Sequence, residues 1–388
     1  MHEGAPAGTG WWEARRRAHR VAAPLGVTRV PLAAAAGLVL AEGVTARAPM
    51  PAFDTAAMDG YAVAGPGPWR LCGRVRAGEE PRTRLRAGEA VEISTGAQVP
   101  PGADAVLRVE SARRDGGLVR GPVPDPGTHI RPTGEDAAAG ALLAPAGVRV
   151  GPAMLGLAAS CGHDTLAVRP RPCVTVLVTG DELVRFGPGG AGRVRDALGP
   201  MLPSLVEQLG GSPAAPRYVD DTPGSLTAAV SAAGAESEVV VVTGSTSVGT
   251  TDQLRRLLAD RGARPVVDTV ACRPGHPQLL APLGDQRWIV GLPGNPFAAL
   301  VAVHTLLGPL LDGLTGRRLP TLGTAVVTGE VRSAHGVTRL VPVAWDDDGA
   351  SVVAGHRSAF LRGVALADAL AVLDPGWTSG STARVLPL

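Results

Sequence analysis

Val174-Thr175-Val176-Leu177-Val178-Thr179-Gly180-Asp181-Glu182-Leu183 reads as a buried strand that runs into a glycine turn carrying two acids. A short, continuous apolar run bounded by a turn is the mark of a strand covered on both faces. Two later stretches repeat the form. Val239–Val242 runs into Thr243-Gly244-Ser245-Thr246-Ser247-Val248-Gly249, with Asp252 close behind, and Trp288–Val290 runs into Gly291-Leu292-Pro293-Gly294-Asn295-Pro296. In an open parallel α/β sheet the loops leaving the carboxyl ends of the strands share one edge, and ligands bind there. Amides and helix N-termini on that edge suit phosphate. Carboxylates suit a hard cation such as Mg²⁺. The combination points to a phosphorylated ligand handled with a metal.

Helical runs alternate with these strands. Met201–Leu209 ends at Gly210-Gly211, a C-cap signal, and Asp221-Thr222-Pro223 opens another helix with proline in its first turn. Asp252–Leu258 is a third and Pro296–Leu311 a fourth. The alternation predicts a central parallel α/β domain over residues 171–316. Upstream, residues 50–143 hold short β-like runs (Ala62–Val63, Leu71–Val75, Ala90–Ile93, Ala105–Val109) between Gly/Pro turns, which predicts a β-rich domain. Trp11–Val21, Val30–Ala41 and Val150–Ser160 have helical character, so residues 1–49 with 144–170 read as a helical linking domain into which the β-rich domain is inserted. After Arg318 the chain turns β-like again, in Gly323–Val327, Arg339–Val343, Ala350–Val353 and Ala383–Leu386. Residues 317–388 therefore read as a small C-terminal β-barrel-like domain.

Composition narrows the function. With 388 residues and 45% apolar content the chain can build several cores, but aromatics are only 3%, so aliphatic side chains and alanine must fill them. The net charge of +2 is too balanced for a generic nucleic-acid binder. There is no lysine, so any cationic contact to an oxyanion must come from arginine, histidine or backbone amides. Cys72, Cys161, Cys173 and Cys272 form no C-x-x-C pair and read as buried reduced thiols of a cytoplasmic protein. No signal pattern stands at the N-terminus, and Val30–Leu40 is too short to span a bilayer, so no membrane role is expected.

The individual constellations are each modest. Gly244 to Gly249 has phosphate-loop spacing but lacks the lysine that a nucleoside-triphosphate loop places after it, so its amides alone would hold phosphate. Asp181-Glu182 and Asp220-Asp221 both follow strands, and each pair could equally supply a solvated acid and a helix cap. Arg273-Pro274-Gly275-His276-Pro277 offers a cation and an imidazole after a β-like run. The imidazole either faces an oxyanion or caps a turn. In the β-rich region, Asp54 and Asp59 stand among scarce aromatics, Phe53 and Tyr61, Ser94-Thr95-Gly96 adds hydroxyls, and Arg131, Glu135 and Asp136 add charge. Arg131 can grip phosphate oxygens in bidentate fashion. No covalent nucleophile stands out.

Phe53–Val63, Ser94–Ala97, Arg131–Asp136, Thr179–Leu183, Thr243–Asp252, Pro274–Pro277 and Gly291–Pro296 occur in the order of the molybdopterin molybdenumtransferase family, the bacterial MoeA group. The chain resembles that family from about Trp11 onward. The resemblance implies insertion of molybdate into adenylylated molybdopterin, with release of AMP and help from Mg²⁺. It implies a homodimer of four-domain subunits whose active site lies between one subunit's α/β domain and the partner's β-rich domain. Molybdopterin adenylyltransferase and molybdoenzyme maturation factors are further candidate partners. Carried onto matching positions, it makes Asp59, Glu182, Asp221 and Asp252 catalytic, with Glu182, Asp221 and Asp252 as metal ligands. Thr95, Arg131 and Asp136 would bind ligand from the β-rich side. Thr179, Gly180, Asp181, Gly244, Ser245, Ser247, Gly249, Arg273, His276, Pro293, Gly294, Asn295 and Pro296 would bind it from the α/β side. The chain departs from the family at Ser245, His276 and Leu198, where a glycine, a lysine and an asparagine are usual. A second hypothesis is therefore a paralogue that binds or delivers the pterin without catalysis.

Overall fold

The computed structural model describes residues 8–244, 253–331 and 336–388. The chain divides into two compact units, one of Met1–Thr28, Gly37–Ala41 and Arg169–Leu388, the other of Arg29–Ala36 and Glu42–Val168.

The second unit is β-rich. Strands β1 (Gly60–Val63), β2 (Trp69–Val75), β3 (Glu89–Ile93), β4 (Ala105–Arg108), β5 (Arg113–Asp115) and β6 (Leu118–Arg120) form one sheet in the order β5-β6-β2-β3-β1-β4. Only β2 and β3 run parallel. Side chains alternate faces along a strand. Tyr61 and Val63 of β1 accordingly pack with Trp69, Leu107 and Val119, while Ala62 packs with Val91 and Val106 on the other side. Both faces of β1 are buried, which explains why it reads as a continuous apolar run.

The first unit holds a mixed sheet. Its strands are β7 (Cys173–Thr179), β8 (Arg217–Val219), β9 (Val239–Thr243), β10 (Leu279–Gly284) and β11 (Arg287–Leu292). β8, β7, β9 and β11 are parallel neighbours in that order, and β10 joins β11 antiparallel. The expected parallel core is present, with an antiparallel edge that the sequence reading did not foresee. The reason is local. Asp285 and Gln286 both hold positive φ, 33° and 61°, the backbone of a two-residue hairpin turn.

Helices cover this sheet: α1 (Trp11–Arg20), α2 (Leu198–Gln208), α3 (Pro223–Glu236), α4 (Gln253–Asp260) and α5 (Pro296–Leu314). Leu202 and Val206 of α2 pack with Val174 and Val176 on one face, and Leu226, Val230, Leu254 and Leu258 pack with Leu177 and Val242 on the other. Each such fully buried side chain contributes about 1.5–3 kcal/mol. α5 is long and apolar enough to cross a membrane, yet it is wholly buried inside the protein, as a core helix is. α1 lies along it. The Trp11 indole N–H donates to Thr305 Oγ1 at 2.9 Å, and the buried Arg15 guanidinium donates to the His304 carbonyl.

The C-terminal strands β12 (Gly323–Thr328), β13 (Thr338–Asp346), β14 (Gly349–Val352), β15 (Ala369–Leu373) and β16 (Ser381–Pro387) close on themselves in the order β13-β14-β12-β16-β15-β13. This five-stranded barrel matches the expected C-terminal β domain.

Two expectations are corrected. The run Val30–Ala41 is not one helix. Thr28–Pro31 and Val39–Leu40 are strands, and helix spans Leu32–Ala35 alone. Pro31 stands at its start, and Gly37, at φ 75°, turns the chain away after one turn. The thiols are free, but only Cys161 and Cys272 are buried, whereas Cys72 and Cys173 are exposed.

Candidate active site

The carboxyl ends of β7, β9 and β11 place their loops together. Thr179 closes β7 and donates its hydroxyl to the Thr243 carbonyl at 2.6 Å, tying the ends of β7 and β9. Gly244 follows at φ 85° and donates its N–H to Leu292 at 3.1 Å, tying β9 to β11. A Cβ on Gly294 would stand 3.5 Å from the Gly244 Cα, so the two loops approach nearly backbone to backbone. Ser245, Ser247, Gly249 and Asp252 lie outside the described residues.

Acids dominate the β7–β8 side of this edge. The Asp181 N–H donates to the Asp221 carboxylate at 3.3 Å, and the Asp221 N–H donates to the Asp181 carboxylate at 3.2 Å. This reciprocal clasp joins the two strand-end loops. Asp221 is not spent on capping α3, because Thr222 takes that place and accepts from the Ser225 N–H at 3.4 Å. The Gln253 side chain donates to the Asp221 carbonyl at 2.8 Å. Gly180 sits at φ 136°, and a Cβ there would come within 2.9 Å of a Glu182 carboxylate oxygen. Partial burial pushes the Asp221 carboxyl up, and the neighbouring charges of Asp181, Glu182 and Asp220 push it the same way. Of the expected metal set, Glu182 and Asp221 stand close enough for the charge of Glu182 to act on Asp221, and Asp252 lies outside the described residues. Among the described residues no three His, Cys, Asp or Glu side chains gather closely enough to hold an ion unaided.

Cations stand near the start of α5. Asn295 and Pro296 begin that helix, and the Asn295 side-chain amide donates to Ser358 Oγ at 3.3 Å instead of capping the helix. The Ala298 N–H donates to the Ser358 carbonyl at 3.1 Å. A Cβ on Gly275 would meet the Ala298 carbonyl at 3.1 Å, so the Arg273-Pro274-Gly275 segment lies against the same turn. Arg273 is the register partner of Arg339 on β13. Desolvation and the charge of Arg273 both lower the Arg339 pKa. Arginines held side by side suit an oxyanion that both can bind. His276 behaves differently. Its Nδ1 lies 2.8 Å from the Val270 carbonyl, which can only accept, so that nitrogen carries the proton and the ring closes the loop from Val270 to Gln278.

Within the β-rich unit three loops meet. Asp59 accepts from the Thr95 N–H at 2.6 Å and from the Thr95 hydroxyl at 3.0 Å. These two bonds hold its carboxyl below the usual carboxylate range. Asp54 accepts from Thr133 in the same double fashion, both at 2.8 Å. Arg131 is exposed and pairs in register with Thr55, whose strand neighbour Ala56 bonds to both Gly96 and Ala97. Asp136 donates its N–H to the Met50 carbonyl at 2.9 Å. The Phe53–Val63, Ser94–Ala97 and Arg131–Asp136 motifs are therefore neighbours in space.

Sequence reasoning missed Arg339 and Ser358, because the C-terminal strands carry no motif pointing to the α5 turn. It missed the Asp181–Asp221 clasp because nothing local marks a pairing between residues 40 apart.

Residues 11–162 match the family model described as MoeA N-terminal region (domain I and II), and residues 175–313 match the probable molybdopterin binding domain. A molybdopterin molybdenumtransferase of Nostoc sp. is 33% identical over 92% of this chain and 88% of its own. A protein of the same name from Bacillus subtilis is 30% identical over 89% of this chain and 86% of its own. Among solved structures, a molybdopterin biosynthesis MoeA protein from Pyrococcus horikosii shares 27% identity with a TM-score of 0.77, covering 98% of this chain and 99% of that one.

Proposed function

The chain belongs to the molybdopterin molybdenumtransferase family, and we propose that it inserts molybdenum into molybdopterin as a step of molybdenum cofactor biosynthesis. The substrate in this reading is adenylylated molybdopterin together with molybdate, and AMP leaves. The observation that carries it is the division of the strand-end edge. Asp181, Glu182 and Asp221 stand at one side, and Arg273 and Arg339 stand by the α5 turn. A phosphoanhydride needs its negative charge offset as it breaks, and catalysis of such a step is largely positioning and electrostatics.

The crowded carboxylates around Asp221 are hard oxygen donors whose mutual repulsion a divalent cation would relieve. Asp221 and Glu182 are the described residues that would hold Mg²⁺, with water and the expected ligand Asp252 completing its shell. Bound there, it would supply charge neutralisation at the phosphoanhydride. The chain's own groups do the rest. Arg273 and Arg339 hold the molybdate oxyanion. The bonds from Thr179 to Thr243 and from Gly244 to Leu292 hold the strand ends together beneath the ligand. On the β-rich unit, the bonds from Thr95 favour the ionised form of Asp59, which suits it to accept a hydrogen bond. The reaction is assigned to the cytoplasm and the active species to a homodimer, for which sedimentation should give twice the 39.3 kDa of the chain.

Reconstitution tests the reading. Purified protein, adenylylated molybdopterin, molybdate and Mg²⁺ should release AMP in step with molybdenum incorporation. Pterin binding without AMP release would instead establish a binding paralogue.

A further inference from the structure

Beside the acids lies a cavity of about 350 Å³, whose lining includes Gly180, Asp181 and Asp220 together with Arg185, Arg193 and Tyr218. The two arginines are not spent on ion pairs among the described residues. They are nonetheless held in place. The Arg185 guanidinium lies over the Tyr218 ring, 3.9 Å from its centroid. The Tyr218 hydroxyl donates to Asp196 Oδ2 at 2.8 Å, and Asp196 is buried and accepts from the Leu198 and Gly199 N–H groups at the start of α2. The stack is therefore anchored to a helix terminus. Arg193 donates one Nη1 hydrogen to the Asp181 carbonyl at 2.8 Å, which ties its guanidinium to the loop that bears the acids and leaves its other N–H groups to a ligand.

A guanidinium stacked on a ring keeps its edge donors free, and that edge matches two phosphate oxygens. Holding an arginine in place before a ligand arrives also removes part of the entropic cost of binding. We propose that Arg185 and Arg193 form a phosphate-oxygen subsite in this cavity, with Tyr218 as the positioning residue for Arg185. The subsite takes a phosphate ester or anhydride, with the oxygens that the arginines do not grip turned away from the Asp181 and Asp220 carboxylates. This rests on the reading above that the ligand is phosphorylated, and it names which side chains grip the phosphate in a chain that has no lysine.

The test uses the full-length protein and inorganic pyrophosphate as probe, titrated calorimetrically at several salt concentrations. The wild type should bind saturably, with affinity falling as salt rises. Arg185→Ala and Arg193→Ala should each weaken binding about tenfold or more and flatten the salt dependence, while keeping the wild-type melting temperature within a few degrees. Arg185→Lys should recover part of the affinity, because it keeps the charge but loses the planar fork. Tyr218→Phe keeps the ring but cuts its tie to Asp196, and should cost a few-fold. Wild-type affinity in both folded alanine variants, or no pyrophosphate binding by the wild type, overturns the subsite. AMP release is measured in parallel to separate the two ideas. Release by the wild type with unchanged KM in both alanine variants sinks the subsite and leaves the function standing. Arginine-dependent pyrophosphate binding without release does the reverse.

Discussion

Asp221 and Asp59 are the same residue in two settings, and their carboxyls move in opposite directions. Asp59, on the β-rich unit, accepts two hydrogen bonds from one threonine, and its charged form is favoured. Asp221, at the end of β8, stands partly desolvated among three other acids, and its charged form is disfavoured. Hydrogen bonds to a carboxylate stabilise the ion, whereas burial and like charges penalise it. Such repulsion is what a bound cation would relieve, which is the arrangement the proposed function calls on. The Asp59 arrangement is already satisfied and suits a fixed, ionised acceptor.

A third acid extends the comparison into the core. Burial drives Asp312 on α5 up to about 6, although Arg317 lies 3.2 Å away. Its neighbour in the same helix, His304, is driven down to about 4, mainly by burial and further by Arg15. Asp312 has a folded pKa above its unfolded value, so its contribution to stability is full below about 3.8 and is lost as pH rises through 6. His304 has a folded pKa below its unfolded value, so its contribution is full above 6.5 and is lost as pH falls through 4. The two oppose each other between about pH 4 and 6. Asp312→Asn should unmask the histidine, making stability fall with acid by up to about 3 kcal/mol more than in the wild type. Denaturant unfolding at several pH values reads this directly. Equal slopes for the two proteins would mean that burial is not what sets these groups.

A smaller effect concerns the paired arginines. Arg339→Ala removes one of two adjacent cations, so the concentration of molybdate needed for half-maximal AMP release should rise about tenfold, with kcat little changed. An unaltered molybdate dependence would remove Arg339 from the site. The smallest effect is at Asp59. Thr95→Val deletes the hydroxyl bond but keeps the backbone one, and backbone donation is the larger cause of the lowering. The Asp59 carboxyl should therefore rise only part of the way to its ordinary value of 3.8, as an NMR titration would show. A full return would assign the effect to the hydroxyl alone.

The three strand-to-loop stretches were legible because each joins a local signal, an apolar run, to another, a glycine turn. The barrel strands were legible for the same reason. Features that depend on distant partners were not. Asn295 and Ser358 are 63 residues apart, and neither lies in a pattern that names the other. Val30–Ala41 misled because its alanines suit a helix while Pro31 and Gly37 confine it to one turn. Asp285-Gln286 gave no hairpin signal, since neither residue is the glycine that usually accepts positive φ. His276 was readable as a residue but not as a role, because its bond to the Val270 carbonyl follows from the loop's path.

The central claim is that the acids at the β7 and β8 ends act through charge on a cation and a phosphorylated pterin. AMP release by wild type and by Asp221→Asn, followed across Mg²⁺ concentrations in proteins with matching unfolding curves, tests it most directly. Wild-type release should depend on Mg²⁺, and Asp221→Asn should lose about 100-fold at saturating substrate, with part of the loss recovered as Mg²⁺ is raised. Release by Asp221→Asn at the wild-type rate over the whole Mg²⁺ range would contradict it.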